Sequence, residues 1–227
     1  MKPTAFRKIL LAALLLVGMA PAVLADDVYY RSGREGAELA VKNITVRSVK
    51  DGELFFTINT RETHRPIAEI SRLELTGETQ FNAAEKSFSD ARNAKDEAAA
   101  KSKYAEAVTG YTATLGSSNK PWLKDYVAVR MQTAGPRSGR FDAALAGWKA
   151  MVEKDPASAL KTKPSVEGID PRSQYLANAA RDLQASANAA VNNPAAKRAY
   201  LDLLMDVQSA MGDTEGAIKT AAAKVEL

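Results

Sequence analysis

Cysteine is absent from the 227-residue chain, and histidine occurs only once, at position 64. Without cysteine the chain can form neither a disulfide nor a thiol nucleophile, so a hydrophobic core must stabilise it. A single imidazole argues against a histidine-based metal site. Glycine-rich phosphate loops, nucleophile elbows and zinc-protease motifs are also missing. We therefore expect no catalytic residue, no metal and no cofactor, and we interpret His64 as a solvent-facing residue of a strand.

The N-terminal residues are typical of a secretory signal. Three basic residues precede a continuous apolar run at residues 9–17, and Gly18 and Pro21 then break the run. Val23 and Ala25 have the small size that a cleavage site requires. The run is too short to span a membrane. We expect cleavage after Ala25 and a periplasmic or secreted protein with no membrane span after cleavage; an uncleaved membrane anchor is the alternative.

Without this signal, the chain has almost no excess of positive charge. The chain has 31 Lys and Arg residues against 27 Asp and Glu, a formal net charge of +4. Residues 1–25 hold three of the basic residues and no acidic residue, which leaves 28 against 27. Binding to nucleic acid needs a clear surplus of Lys and Arg. The composition therefore argues against a nucleic-acid partner.

Residues 26–76 alternate apolar and polar side chains, as half-buried strands do. The clearest examples are "ITVRSV" and "ELFFTIN", and between them Asp51-Gly52 favours a tight hairpin turn. Pro66 suggests an edge strand. We expect four or five strands in a small β-barrel or curled sheet, because so few strands must close up or pack on a neighbour. In length and pattern this β-module weakly resembles SH3-like and Sm-like barrels.

From residue 77 to residue 227 the pattern changes to helical spacing. Apolar residues recur every three or four positions, which predicts about seven helices. Their apolar stripes begin at Phe81, Tyr104, Trp122, Phe141, Tyr175, Tyr200 and Ala217. Gly135-Pro136 is a predicted stop, and Asp170 and Asn193 are predicted caps for helices whose first residue is proline. The fold class is therefore α+β, mainly α, with an irregular loop at residues 155–171.

One helical unit is repeated. Residues 102–115 align with residues 139–152 at a spacing of 37, and residues from 212 onward align again at a spacing of 73. Aromatic residues fall on aromatic residues, Tyr104 on Phe141 and Tyr111 on Trp148, while Ala107 falls on Ala144. A small residue lets two helices approach closely, and the aromatic residue one turn later fills the space beside them. A period near 37 in helical hairpins predicts a solenoid.

The second unit resembles the tetratricopeptide repeat family. Six residues occupy positions where that family has its turn glycine, aromatic, alanine, second aromatic, small residue and terminal proline: Gly139, Phe141, Ala144, Trp148, Met151 and Pro156. The first helices lack the family's Trp-x-x-Leu-Gly-x-x-Tyr signature, so the chain resembles a degenerate member. The resemblance implies an α-solenoid at residues 77–227 that binds a protein or peptide.

The leading hypothesis is a non-enzymatic cell-envelope scaffold that binds its partner through the helical-repeat surface. The alternative is a structural subunit that assembles with itself as a homo-oligomer; an envelope hydrolase would need a catalytic constellation that the sequence lacks. The predicted partner-binding residues are Trp122, Lys124, Tyr126 and Arg130, on one predicted helix. Lys124 and Arg130 would flank a groove and bind acidic side chains or a C-terminal carboxylate. The alternative is that both cations only solubilise the surface and that the two aromatic residues belong to the core.

Overall fold

The computed structural model describes residues 26–31 and 37–227, and the predicted signal at residues 1–25 lies outside the described residues. Five strands come first: β1 (Asp26–Arg31), β2 (Glu38–Lys50), β3 (Glu53–Ile58), β4 (Arg61–Pro66) and β5 (Ile70–Glu74). They form one antiparallel sheet in the order β4-β3-β2-β1-β5. The prediction of four or five strands in this segment is confirmed.

Local sequence signals set one turn and one edge of the sheet. Asp51 and Gly52 connect β2 to β3 as a two-residue hairpin turn, and both have positive φ angles, 53° and 78°. Aspartate and glycine tolerate this left-handed conformation better than most residues do. Pro66 ends β4, an edge strand, as expected for a residue without an N–H group. The turn prediction is confirmed, whereas Pro66 lies at an edge as predicted but ends β4 and does not begin the strand that follows it.

The sheet is open, and the expectation of a closed barrel is wrong. β4 and β5 are its two edges, and no pairing joins them in the described part of the chain. A sheet with one apolar face needs a cover. Two helices that contact β5 and β2 provide it, Thr79–Asn93 and Pro121–Ser138 respectively. Because helices cover the sheet, closure is not required to bury its apolar face.

Eight α-helices follow the sheet in the described residues, one more than the predicted number. They are α1 (Thr79–Asn93), α2 (Glu97–Ser117), α3 (Pro121–Ser138), α4 (Phe141–Lys154), α5 (Pro156–Lys161), α6 (Gln174–Ala189), α7 (Pro194–Met211) and α8 (Thr214–Val225). The additional helix is the short α5, within the predicted irregular loop. The coarse prediction of an α+β fold that is mainly helical is confirmed.

The predicted helix boundaries are right at one position and wrong at two. Asn193 caps α7 by accepting a hydrogen bond from the Ala196 N–H at 3.0 Å, as predicted. Asp170 caps no helix; it accepts from the Arg172 N–H within a turn, and Ser173 caps α6. Helix α3 runs through Pro136 and ends at Ser138. A proline so near the end of a helix disrupts only the last turn, so it does not stop the helix earlier.

Two hydrophobic clusters meet on α4. The first joins the sheet to α1, α2 and α3, and the second joins α4 to α6 and α7. Helix α4 contributes Ala143 to the first cluster and Phe141 and Trp148 to the second. The change from strand to helix near Thr76 is therefore not a division between two cores. The sheet shares its core with three helices, so the expected boundary at residue 76 separates strands from helices but not one core from another.

The aligned repeat positions are buried in two of the three units. Their small and aromatic residues on α2 and α4 are at most 1% exposed: Tyr104, Ala107, Tyr111, Phe141, Ala144 and Trp148. The third unit differs, because Ile218 on α8 is 65% exposed. Helix α8 instead turns Thr220 toward α7, where its hydroxyl donates to Gln208 Oε1 at 2.7 Å. The predicted apolar stripe is therefore wrong at Ile218, and a regular solenoid stays a prediction.

Residues 155–171 are anchored to the second cluster and to the sheet. Asp155 caps α5 by accepting from the Ser158 N–H at 3.1 Å. The carbonyl of the fully buried Ala159 accepts a hydrogen bond from Trp148 Nε1–H at 2.8 Å. On the other side, Lys161 pairs with Asp51 of the β2–β3 turn at 2.9 Å. The segment thus connects the sheet to the second cluster.

Candidate functional site

A buried ion pair lies where the sheet meets α1 and α3. Glu85 and Arg130 are 0% and 2% exposed. Arg130 donates from Nε to Glu85 Oε1 at 3.0 Å and from Nη2 to Oε2 at 2.9 Å. Its Nη1 donates to the carbonyls of Ile67 and Ile70 at 3.2 and 3.0 Å. The bidentate pair ties both helices to the segment between β4 and β5.

Three more donors surround the carboxylate of Glu85. The Tyr126 hydroxyl donates to Oε2 at 2.9 Å, the Leu73 N–H donates to Oε2 at 2.8 Å, and the Tyr111 hydroxyl donates to Oε1. Burial, and then the charge of Glu85, raise the pKa of Tyr111. Burial also raises the pKa of Tyr126. Both phenols therefore keep the protons that they donate at neutral pH.

The charge of Arg130 is fixed by the same cluster. Burial is the largest single effect and would lower the pKa of Arg130, but the charge and hydrogen bonds of Glu85 together with Tyr126 and Tyr111 outweigh burial and raise it. Five hydrogen bonds converge on Glu85, and the remaining donor of Arg130, Nη1, binds two backbone carbonyls, so the polar atoms of this cluster are engaged within the fold. Its arrangement suits a structural role, which is to join three helices and the sheet.

Burial corrects two of the predicted partner-binding residues. Tyr126 and Arg130 lie in the core, so neither can contact a partner at the surface. The physical reason is Glu85, which lies 41 positions before Tyr126 and 45 before Arg130 and binds both side chains inside the fold. One sequence signal could have indicated this, because Glu85 falls between Phe81 and Phe88 on the apolar stripe of its helix. A charge on a buried face needs a buried partner.

The other two predicted residues lie nearer the surface. Trp122 is half-buried and packs against the first cluster. Lys124 is exposed and lines a groove between α2, α3 and α4. The structure therefore brings Tyr126 and Arg130 together in the core and leaves Lys124 alone at the groove.

The groove encloses about 460 Å³, and small side chains form its floor. Ala128, Ala143 and Gly147 are buried beneath it. A Cβ at position 147 would lie 3.4 Å from the Cα of Ala128, in ordinary van der Waals contact, so α3 and α4 lie close together at the floor. Met131 and Met151 extend the apolar lining. The result is an apolar trough, wide enough for side chains of another molecule.

Charged residues line the rim of the groove. Arg140 pairs with Asp142 through two contacts of 3.0 Å, and Asp125 pairs with Lys154 at 2.5 Å. Lys124 has no ion pair with any residue that the structure describes. It is therefore the rim cation that could bind a negative charge without breaking an existing pair.

Residues 26–31 and 37–227 contain no group of three His, Asp or Glu side chains that could hold a metal ion. His64 lies on β4 with 57% of its side chain exposed, where it contacts Glu53 at 2.6 Å and stacks on Phe55. In the same residues, no helix is both long and apolar enough to cross a membrane.

No protein-family model, curated protein or solved structure matches the chain. Only the fold therefore describes the class of this protein. It is an open five-stranded antiparallel sheet that shares its core with the first three of eight described helices. The resemblance to tetratricopeptide repeats stays a prediction from the repeat residues.

Proposed function

We propose that this chain is a non-enzymatic scaffold of the cell envelope that binds an extended peptide segment of another protein in the groove between α2, α3 and α4. The single observation that carries this proposal is the apolar trough, floored by small residues and rimmed by charge. Apolar side chains of the peptide would lie over Ala128 and Gly147. Methionine adapts to varied side-chain shapes, so Met131 and Met151 suit peptides of more than one sequence.

Lys124 determines which charge the bound peptide should carry. It is the groove cation without a described ion-pair partner, so an acidic side chain or a C-terminal carboxylate of the peptide would bind it. Arg140 is a weaker candidate, since Asp142 already holds it in a bidentate pair. The export of the protein, proposed from residues 1–25, places this interaction outside the cytoplasm.

A displayed library of random peptides tests the proposal directly. Peptides selected on residues 26–227 should contain apolar residues beside an acidic one. Their affinity should fall by at least about tenfold with Ala146→Phe, which fills the groove from its exposed rim, and by a smaller factor with Lys124→Gln. Ala185→Phe on the exposed side of α6 is the matched control and should change nothing. Peptides that bind all three variants equally would refute the groove as the site.

Self-assembly is a second candidate, and one observation favours it. Ile218 and Val225 on α8 are 65% and 87% exposed, and their spacing of seven places them on one side of the helix. Large apolar residues on one exposed face are typical of association surfaces. Light scattering after size exclusion should then give a mass that rises with concentration, and Ile218→Glu should abolish the rise. A constant monomer mass would exclude this candidate.

A further inference from the structure

A second cleft lies on another side of α3, away from the groove. It encloses about 210 Å³ between the Ile67–Ala68 turn, the end of α1, the start of α2 and the end of α3. Its polar lining consists of Arg92, Arg130, Arg137, Thr133 and the hydroxyl end of Tyr104. We call it the arginine cleft. Because three guanidinium groups lie in so small a space, their positive charges repel one another unless negative groups nearby balance them.

Glu85 neutralises only one of these arginines. Its carboxylate is already bound bidentately by Arg130 and receives three other hydrogen bonds. Neither Arg92 nor Arg137 has an ion pair with any carboxylate of the described residues. The arginine cleft therefore carries about two uncompensated positive charges, and Arg31 on β1 adds a third nearby, where it donates to Asn93 at 2.8 Å.

Protein contacts fix the two uncompensated arginines but leave donors unused. Arg92 donates from Nη1 to the carbonyls of Ala68 and Ile70 at 3.3 and 3.0 Å. Arg137 donates from Nη1 to the Tyr104 hydroxyl at 3.2 Å, and its guanidinium lies 5.6 Å from the centre of that ring. Within the described residues, Nε and Nη2 of both side chains have no acceptor. Held in place, with free N–H groups and no counter-charge, these arginines have the properties of an anion site.

The electrostatics agree with this geometry. Burial lowers the pKa of Arg92, and the positive charge of Arg130 lowers it further. Arg31 and Arg137 act in the same direction. An anion in the cleft would reverse the effect of these like charges.

We propose that the arginine cleft binds a phosphate group through the unused N–H donors of Arg92 and Arg137, with the Thr133 hydroxyl at its edge. A phosphate dianion would balance the two free charges, and its oxygens can accept from both forked guanidinium groups at once. The volume admits the phosphate and a short remainder, so the group could be free phosphate or the headgroup of a lipid. This site is independent of the peptide groove.

Titration of residues 26–227 with inorganic phosphate tests the site. Sodium chloride holds the ionic strength constant, and amide chemical shifts and the melting temperature are the readouts. Phosphate should shift the amides around positions 92, 104, 133 and 137 and should raise the melting temperature, because a ligand of the folded state stabilises it. Acetate should do so more weakly. Shifts that chloride reproduces in full would overturn the proposal.

Two charge-matched variants separate the cleft from a general charge effect. Arg137→Gln should weaken phosphate binding by about ten- to a hundredfold, the usual loss for a charge-assisted hydrogen bond. Arg198→Gln, an exposed change on α7, should alter it by less than about twofold. Melting without phosphate shows that each variant folds. Equal losses in both variants, or no loss in either, would overturn the site.

Sedimentation with lipid vesicles distinguishes a lipid headgroup from free phosphate as the ligand. If the ligand is a headgroup, the protein should sediment with vesicles that contain phosphatidic acid, whose phosphate monoester can carry two negative charges, and not with phosphatidylcholine vesicles, and Arg137→Gln should abolish this binding. If the ligand is free phosphate, the titration succeeds and neither vesicle sediments the protein. Sedimentation that Arg137→Gln leaves unchanged would place lipid binding elsewhere and contradict this source.

Discussion

At the scale of single residues, the Glu85–Arg130 pair sets how three helices meet the sheet. Five hydrogen bonds converge on Glu85 from two tyrosines, one arginine and one backbone N–H. A buried pair gains little over well-packed apolar residues, yet removing one partner leaves an uncompensated charge in the core. The fold therefore requires both residues to be present, even though the pair as a whole adds little net stability.

Glu85→Gln should lower the free energy of unfolding by about 3–5 kcal/mol, because Arg130 is then buried without a counter-charge. Urea denaturation followed by circular dichroism measures the change. Glu106→Gln is the matched control: Glu106 pairs with Lys103 at the surface, where solvent screens the pair, so its loss should hardly change the urea midpoint. Equal midpoints for the two variants would mean that Glu85 does not hold Arg130 in the core.

Alkaline pH should destabilise the protein through the two buried tyrosines. Their pKa values are raised in the folded state, so their protons are kept there and lost in the unfolded chain above about pH 10. Because the unfolded state then binds fewer protons, stability falls as pH rises above that value. Tyr126→Phe should be less stable than the natural protein at pH 8, and the difference should shrink by pH 11. Urea midpoints at the two pH values measure it; a constant difference would contradict the prediction.

At the scale of elements, the packing of α3 against α4 depends on small residues. A methyl group at position 135 would lie 2.8 Å from the Cβ of Ala144 and 2.9 Å from the carbonyl oxygen of Arg140. The second contact is with backbone, which cannot move as freely as a side chain. The close approach therefore requires glycine in the last turns of α3.

Gly135→Ala should destabilise the protein by about 1–3 kcal/mol through this overpacking. Gly116→Ala is the control, since a methyl group at that position of α2 meets nothing within 4 Å. It should be neutral or should stabilise by up to about 1 kcal/mol, because alanine favours helix. Thermal melts of both variants compare the two effects. A higher melting temperature for Gly135→Ala would show that α3 and α4 are farther apart than described.

Elements whose signals are local could be predicted from the sequence, and contacts between distant residues could not. The Asp51-Gly52 turn and the Asn193 cap depend on a few neighbouring residues, so their patterns are sufficient. The burial of Arg130 depends on Glu85 in another helix, and a helix taken alone places a cation at the surface by default. The end of α3 past Pro136, by contrast, has a local signal, because Gly139 adopts a left-handed conformation (φ 80°) and its N–H donates to the carbonyls of Gly135 and Pro136.

At the scale of the whole molecule, the sheet and the first three helices are one folding unit. Buried residues of β1, β3 and β5 and those of α1, α2 and α3 belong to the same hydrophobic cluster. The second cluster lies between α4 and α7 and contains no residue of the sheet. Loss of the sheet should therefore affect the two ends of the helical region unequally.

A fragment of residues 79–227 should lose the structure of α1–α3 and keep that of α6 and α7. Its sheet-facing residues and the Arg130 contacts to Ile67 and Ile70 would be exposed or lost, whereas Trp148 and Tyr200 would keep their contact. Amide hydrogen exchange, compared with residues 26–227, should show protection only in the C-terminal helices. Protection of α1–α3 in the fragment would mean that the helices fold without the sheet.

The buried ion pair also has a consequence for the history of this sequence. Single changes at position 85 or position 130 leave a charge in the core, while a double change to apolar residues removes the problem altogether. Descendants of one ancestor should therefore replace the two positions together or not at all, and the tyrosines at positions 111 and 126 should be free to become phenylalanine only after such a double replacement. A lineage that kept one charge without the other would have to place a new opposite charge beside it.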